Sequence, residues 1–95
     1  MRELVLTPKF KRSFKKFVKR NSSLETKIIQ ILQLMKENVF ATQLSTHSLQ
    51  GKLSGLKACS CGYGYDCRIL FTVETSQDQT ELIVLLDIGT HSEVY

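Results

Sequence analysis

The stretch LIVLLDIGTHSEVY, residues 82–95, joins the most apolar run of the chain to a tail of mostly polar side chains. Its first part predicts a strand over residues 81–88, because a short apolar run bounded by turn residues is typical of a buried strand. The tail then carries a glycine, an imidazole, a carboxylate and a phenol: Gly89, His91, Glu93 and Tyr95. Such a tail either frays or belongs to a functional site.

Two further strands are predicted before this one, over residues 56–61 and 66–74. The stretches between the three strands, GYG (62–64) and TSQDQ (75–79), have the composition of turns. Consecutive strands joined by short turns pair in antiparallel fashion. We therefore expect an antiparallel meander in the second half of the chain.

The first half predicts one more strand and a helix. Residues 2–6 alternate between polar and apolar side chains, and Thr7 followed by Pro8 is a strong signal for the start of a helix. Apolar residues then recur at helical spacing on one face: Phe10, Phe14, Phe17 and Val18. Lysines occupy the other face, and the helix should end near Asn21.

A second helix should follow at once. Ser22 with Glu25 three residues later is a capping box, and apolar residues continue at helical spacing to about Lys36. Two amphipathic helices joined by a short turn form a helical hairpin whose apolar faces need a sheet to cover. The prediction is an α+β fold in the order β-α-α-β-β-β, one domain over residues 1–95, with the hairpin on one face of a small, mainly antiparallel twisted sheet.

The composition, 42% hydrophobic and 23% charged, is that of an ordinary globular domain. Charge inside the first apolar stretch argues against a signal peptide. The apolar run at 82–86 is far shorter than the roughly 20 residues that a membrane span needs. These observations predict a cytoplasmic protein with no membrane partner.

Positive charge is concentrated at the start of the chain. The net charge is +4, and eight of the 13 basic residues lie within residues 1–20, where Glu3 is the only acid. From residue 72 onward there is no lysine or arginine. This asymmetry indicates a surface suited to an anionic partner, or else a solvated helix face that only maintains solubility.

Three cysteines, Cys59, Cys61 and Cys67, do not make the even number expected of a disulfide framework. A zinc site combining these thiolates with His47 or His91 is an alternative, but the C-x-x-C spacing of common zinc sites is missing. We therefore expect buried or half-buried thiols, with no metal and no other cofactor.

Few other titratable groups stand out. Both histidines, His47 and His91, lie among turn residues. Asp66 and Arg68 are two residues apart, so they project from the same face of a strand. An arginine in an apolar strand needs an anion, either a carboxylate such as Asp66 or Glu93, or a bound phosphate.

Imidazoles, an arginine, a phenol and a lysine-rich helix suit metal-free cleavage of RNA. The 2′-hydroxyl of RNA is the nucleophile, so the protein supplies only a base, an acid for the departing 5′-oxygen and positive charge on the phosphate. Imidazole, with an unperturbed pKa of about 6.5, can perform either proton transfer at neutral pH. The sequence has neither the spacing of a P-loop nor a serine–histidine–acid motif, so it does not indicate phosphate binding by a P-loop or catalysis by a serine nucleophile.

Three segments resemble the RelE superfamily of bacterial toxins, and most closely its YafQ branch. They are THSLQGKLSG (46–55), YDCRILFTV (65–73) and LIVLLDIGTHSEVY (82–95), and the resemblance spans essentially the whole chain. It implies a compact sheet with helices on one side, ribonuclease activity on mRNA in the ribosomal A site, and inhibition by a cognate antitoxin. We expect that antitoxin to be small, acidic and partly disordered.

The resemblance also implies roles for individual residues. His47 and His91 match the first and last histidines of the YafQ pattern and would transfer protons, and Asp66 matches the catalytic aspartate, as base or orienter. Arg68 resembles an arginine used on phosphate, and Tyr95 matches a terminal aromatic that would stack on a base or hold a hydroxyl. RNA and ribosome binding is assigned to Lys9, Lys11, Arg12, Lys15, Lys16, Lys19, Arg20, Lys52 and Lys57.

One histidine of the YafQ pattern has no counterpart here. YafQ-like proteins carry it just before the central aspartate, whereas this chain reads KACSCGYGYDC over residues 57–67. One proton-transfer group is therefore absent or replaced by a neighbour such as Ser60, Cys61 or Tyr63.

Two other functions compete with RNA cleavage. A ParE-like toxin would inhibit DNA gyrase without catalysis and would leave both histidines without a role. A plain RNA-binding domain would need stacking aromatics on the sheet face, where only Tyr63, Tyr65 and Phe71 are available. The cleavage hypothesis requires the imidazole and phenol of the tail to lie beside Arg68.

Overall fold

The computed structural model describes residues 2–61 and 66–95, so the predicted turn at 62–64 and both Tyr63 and Tyr65 lie outside the described residues. The elements in chain order are β1 (Arg2–Leu6), α1 (Pro8–Arg20), α2 (Glu25–Glu37), β2 (His47–Ser48), β3 (Lys57–Ser60), β4 (Arg68–Thr75), β5 (Glu81–Gly89) and α3 (His91–Val94). The predicted α+β fold is confirmed. The prediction missed β2 and α3, which are only two and four residues long.

The five strands form one sheet in the order β1-β5-β4-β3-β2. β1 runs parallel to β5, and the other neighbouring pairs are antiparallel. The helical hairpin between β1 and the later strands gives the chain the length that a parallel connection requires. Arg2 lies opposite Glu81, and their side chains form an ion pair of 2.7 Å that joins the two strands.

The two faces of the sheet differ in what covers them. α1 and α2 cover one face, where the buried core contains Phe10, Phe17, Ile28, Ile31, Met35, Cys59, Ile69, Phe71, Ile83 and Leu85. A smaller cluster of Ala58, Leu70 and Val94 lies on the other face, which we call the open face. Strand residues alternate between the faces, so Ile69 enters the main core while its neighbours Arg68 and Leu70 belong to the open face. Within the described ranges, no helix is long and apolar enough to cross a membrane.

The start of α1 is confirmed, and the predicted start of α2 is wrong. The Thr7 hydroxyl accepts a hydrogen bond from the Phe10 N–H at 3.2 Å and donates one to the Leu85 carbonyl at 2.8 Å. At the second helix, Ser22–Leu24 form a turn of 3₁₀ helix, and α2 begins only at Glu25 without a side-chain cap. Ser22 therefore lies inside the preceding turn, too early in the chain to cap α2.

The expectation of three free thiols is also wrong. Cys61 and Cys67 form a disulfide with their Cα atoms 5.2 Å apart, within the usual range for such bonds. The Cys61 N–H donates to the Cys67 carbonyl at 3.0 Å, so the hairpin register brings the two side chains together. Counting cysteines could not reveal that register. Cys59 stays a free thiol in the core, where burial raises its pKa to about 12.

Replacing Thr7 by valine should lower the free energy of unfolding by about 1–2 kcal/mol, because valine keeps the shape and loses the helix cap. Denaturant unfolding measures the change. Thr7→Ser keeps the hydroxyl and should lose clearly less. Equal stability of the valine variant and the wild type would show that the hydroxyl does not hold α1 to β5.

Protein purified without reductant should have one thiol per chain that reacts after denaturation, and three after reduction, because only Cys59 is free. Thiol labelling followed by mass spectrometry counts them. Cys59→Ala should then show none before reduction and two after it. Three reactive thiols in the unreduced wild type would contradict the disulfide.

Candidate active site

The pairing of β4 with β5 positions Arg68 next to the point where the tail begins. Arg68 lies opposite Gly89 on one side and opposite Ser60 on the other. The chain turns directly after Gly89 and enters α3 through Thr90. A β-carbon at Gly89 would lie 3.1 Å from Glu93 Oε1 and 3.2 Å from Val94 Cγ1, so a glycine allows α3 to approach this closely.

The tail does not fray, because α3 packs on the open face. Val94 is buried and belongs to the same cluster as Ala58 and Leu70. The four-residue helix is thereby fixed over β4 and β5, with His91 and Tyr95 exposed at its two ends.

Asp66 contacts the first residue of α3. Its Oδ1 accepts a hydrogen bond from the His91 backbone N–H at 2.9 Å. This N–H lies in the first turn, whose donors have no partner within the helix, and a carboxylate there is also favoured by the helix dipole. Asp66 thus anchors His91 through its backbone, and β4 starts two residues later, at Arg68.

His91, Tyr95 and Arg68 form a chain of contacts. The rings of His91 and Tyr95 meet edge to face, with centroids 4.4 Å apart and planes at 87°. The Arg68 side chain lies close to the Tyr95 hydroxyl. Burial raises the pKa of the Tyr95 phenol, and the Arg68 charge opposes that rise. The phenol is therefore protonated at neutral pH and can donate a hydrogen bond.

Arg68 is half-buried, and its Nη1 also donates to the Cys67 carbonyl at 3.2 Å. A permanently charged guanidinium on the open face is thus linked through Tyr95 to an exposed imidazole. The arrangement can bind an anion and place a proton-transfer group next to it. Within residues 2–61 and 66–95 there is no group of three or more metal-ligating side chains.

His47 lies on the same face but farther away. It pairs with Ala58, which in turn pairs with Leu70, so its side chain belongs to the open face. Two strand spacings separate it from β4, which corresponds to about 10 Å. The ring is exposed, and its Nδ1 lies 3.0 Å from the Ser45 carbonyl.

The basic residues assigned to RNA binding differ in their surroundings. On α1 five exposed basic residues form no ion pair with any described residue: Lys11, Arg12, Lys15, Lys16 and Lys19. Lys9 pairs with Asp87 at 3.5 Å and Arg20 with Glu93 at 3.0 Å. Lys52 is exposed, and the half-buried Lys57 donates to Ser48 Oγ at 3.2 Å.

Glu93 was expected only as a possible partner of Arg68, but its ion pair is with Arg20. Its Oε1 accepts from the Thr90 N–H at 2.9 Å, and its Oε2 accepts from Arg20 Nη2 at 3.0 Å. The Thr90 hydrogen bond, followed by Arg20, lowers the Glu93 pKa to about 2. The T-x-x-E spacing of residues 90–93 is a helix-start signal that could have predicted α3.

Comparisons with known proteins assign the chain to a family. The model of the YafQ toxins, described as bacterial toxins of type II toxin-antitoxin systems, matches residues 2–95. Comparison with curated protein sequences gives no match.

Solved structures show the same fold. A copper-bound mutant toxin from Helicobacter pylori is similar at a TM-score of 0.72 and 26% identity, over 100% of both chains. YafQ from E. coli gives a TM-score of 0.72 at 14% identity, over 100% of this chain and 99% of that one. YafQ in the E. coli DinJ-YafQ complex gives 0.69 at 16% identity, over 99% and 97%. With the family match covering nearly every residue, this chain belongs to the YafQ family of toxins of bacterial type II toxin-antitoxin systems.

Proposed function

We propose that this toxin is an endoribonuclease that cleaves mRNA in the ribosomal A site, in the cytoplasm and without a metal ion. One observation carries the proposal: the tail of this YafQ-family chain folds back, so that Asp66 binds the His91 N–H, the His91 ring meets the Tyr95 ring, and Arg68 acts on the Tyr95 phenol. An exposed imidazole and a guanidinium supply one proton-transfer group and the positive charge that phosphodiester cleavage by a 2′-hydroxyl uses.

In the proposed reaction the 2′-oxygen forms a bond to phosphorus while the bond from phosphorus to the 5′-oxygen breaks. One group takes the proton of the 2′-hydroxyl, and another gives a proton to the departing 5′-oxygen. Arg68 stabilises the charge that develops on the phosphate. His91 performs one proton transfer, and the protonated Tyr95 donates a hydrogen bond to the RNA or stacks on a base.

Asp66 acts as an orienter in this scheme, because one of its oxygens already binds the His91 N–H. His47 is the candidate for the second proton transfer. In-line displacement puts the attacking and leaving oxygens on opposite sides of phosphorus, so acid and base must stand on opposite sides. β4, which carries Arg68, lies in the sheet between β5, which leads to His91, and β2, which carries His47.

The partners follow from charge. The exposed basic side chains of α1 supply a surface for the phosphates of mRNA and of the ribosome. The same surface suits a small, acidic and partly disordered antitoxin. The likeness to YafQ in the DinJ-YafQ complex supports such an antitoxin as the regulatory partner.

Replacing His91 by alanine should lower the rate of mRNA cleavage on ribosomes by about 100-fold or more, because general acid–base catalysis contributes roughly that much. Primer extension on ribosome-bound mRNA measures the rate. The melting temperature should stay close to that of the wild type, since the side chain is exposed. Gln33→Ala, an exposed polar change on α2, is the control and should cleave normally.

The same variants separate cleavage from gyrase inhibition in cells. Induced without antitoxin, the wild type should arrest growth, with translation and mRNA levels falling before DNA synthesis, and His91→Ala should relieve the arrest. Early DNA damage together with a His91→Ala variant that remains toxic would favour a ParE-like action on gyrase instead.

A further inference from the structure

The short helix that begins at His91 and precedes Tyr95 is not stable by itself. With four residues, α3 is far below the length at which an isolated helix is stable in water. Its geometry therefore depends on contacts made by its side chains and its first N–H groups. Val94 supplies burial on the open face, and Asp66 binds one N–H.

Glu93 supplies the contacts on the other side. One carboxylate oxygen closes the first turn of α3 through the Thr90 N–H, and the other is held by the Arg20 guanidinium at the end of α1. Glu93 also packs against Gly89: a β-carbon added to Gly89 would lie 3.2 Å from the Cβ of Glu93. A single side chain thus joins α3 to the last residue of β5 and to the first helix.

We propose that Arg20 and Glu93 act as positioning residues, a clamp that sets the distance and angle of His91 and Tyr95 relative to Arg68. The inference rests on the proposed RNA cleavage for its catalytic consequence. Arg20 then belongs with the positioning of the tail, although its charge and place on α1 suggested an RNA contact.

A role in global stability does not account for this pair. The Arg20 and Glu93 side chains are 51% and 39% exposed, and ion pairs this open to solvent contribute little to folding. The catalytic rate is more sensitive than the stability to the loss of this pair, because a displacement of about 1 Å in a catalytic group can lower the rate about 100-fold. The clamp should therefore affect catalysis far more than the midpoint of unfolding.

Glu93→Ala should lower kcat by about 10- to 100-fold with KM within about threefold of the wild type. Glu93→Gln, which keeps an oxygen for the Thr90 N–H, should lose less. Arg20→Ala should also lower kcat, and the double variant should lose no more than the worse single one, because the two residues act as a unit. Glu37→Ala removes an exposed carboxylate elsewhere, at the end of α2, and should match the wild type.

An independent readout is the contact between the two rings. NMR should show nuclear Overhauser contacts between His91 and Tyr95 in the wild type and in Glu37→Ala, and their loss in Glu93→Ala. If the wild type does not cleave RNA while the ring contact still depends on Glu93, the cleavage proposal fails and the clamp stands. If Glu93→Ala keeps both kcat and the ring contact, or if Arg20→Ala changes KM alone, the clamp is wrong.

The pH dependence of unfolding gives a second test. Because the pKa of Glu93 falls from 4.5 to about 2 on folding, its ionised form stabilises the protein above about pH 4.5, and this is lost as the pH falls towards 2. The charged groups around it are Lys9, Lys16, Arg20, Asp87 and, on α3 itself, His91.

The denaturation midpoint of the wild type should therefore exceed that of Glu93→Gln only slightly at pH 6, because an exposed ion pair contributes little to folding, and this small gap should shrink between pH 4.5 and 2. A Glu37→Gln control should show no such change with pH. A gap between the wild type and Glu93→Gln that stays constant or grows as the pH falls would overturn the ionised clamp.

Discussion

The candidate site depends on the pairing of Arg68 with Gly89 at the end of the β4–β5 ladder. A register irregularity between Leu70 and Phe71 determines which residue of β5 pairs with each β4 residue from Arg68 to Leu70. The chain then leaves β5 at a glycine, where a β-carbon would lie 3.1 Å from Glu93 and 3.2 Å from Val94, so the glycine favours their close approach to the sheet. Both the guanidinium and the returning tail are placed by this one pairing.

The two faces of the sheet have different tasks. The helix-covered face holds nearly all the buried apolar side chains and so most of the hydrophobic stabilisation. Among the described residues, the buried cluster on the open face consists of Ala58, Leu70 and Val94, and the last of these comes from the tail. The residue that completes the small cluster therefore also holds His91 and Tyr95 in place, and the geometry of the site is coupled to the packing of that face.

Sequence patterns predicted the elements whose burial repeats along the chain. β1 and the two long helices show a period that matches the face they bury, and the strands of the meander are marked by apolar stretches bounded by turn residues. β2 and α3 are too short to show any period. Capping signals gave one correct start at Thr7 and one wrong start at Ser22, because a local sequence motif does not reveal whether a 3₁₀ turn precedes the helix.

The site was predicted as a set of residues but not as a geometry. The contact of Asp66 with the His91 N–H joins residues 25 apart, and the disulfide depends on the hairpin register, so neither can be inferred from local spacing. The T-x-x-E motif at 90–93 is a helix-start signal, but residues that directly follow a strand are typical of a turn. Residues 91–94 form a helix because Val94 packs against the open face, and no local motif indicates that packing.

The missing histidine is best understood through Asp66. On the proposed mechanism the Asp66 carboxylate, which binds the backbone of His91 at the start of α3, orients that residue. On the proposed mechanism both proton transfers then fall to imidazoles on opposite sides of β4, with Arg68 between them. Such a site needs few titratable groups but requires that the tail be held firmly, because no second histidine near Asp66 can compensate when His91 moves. The contacts of Val94, Asp66 and Glu93 with this short helix meet that requirement.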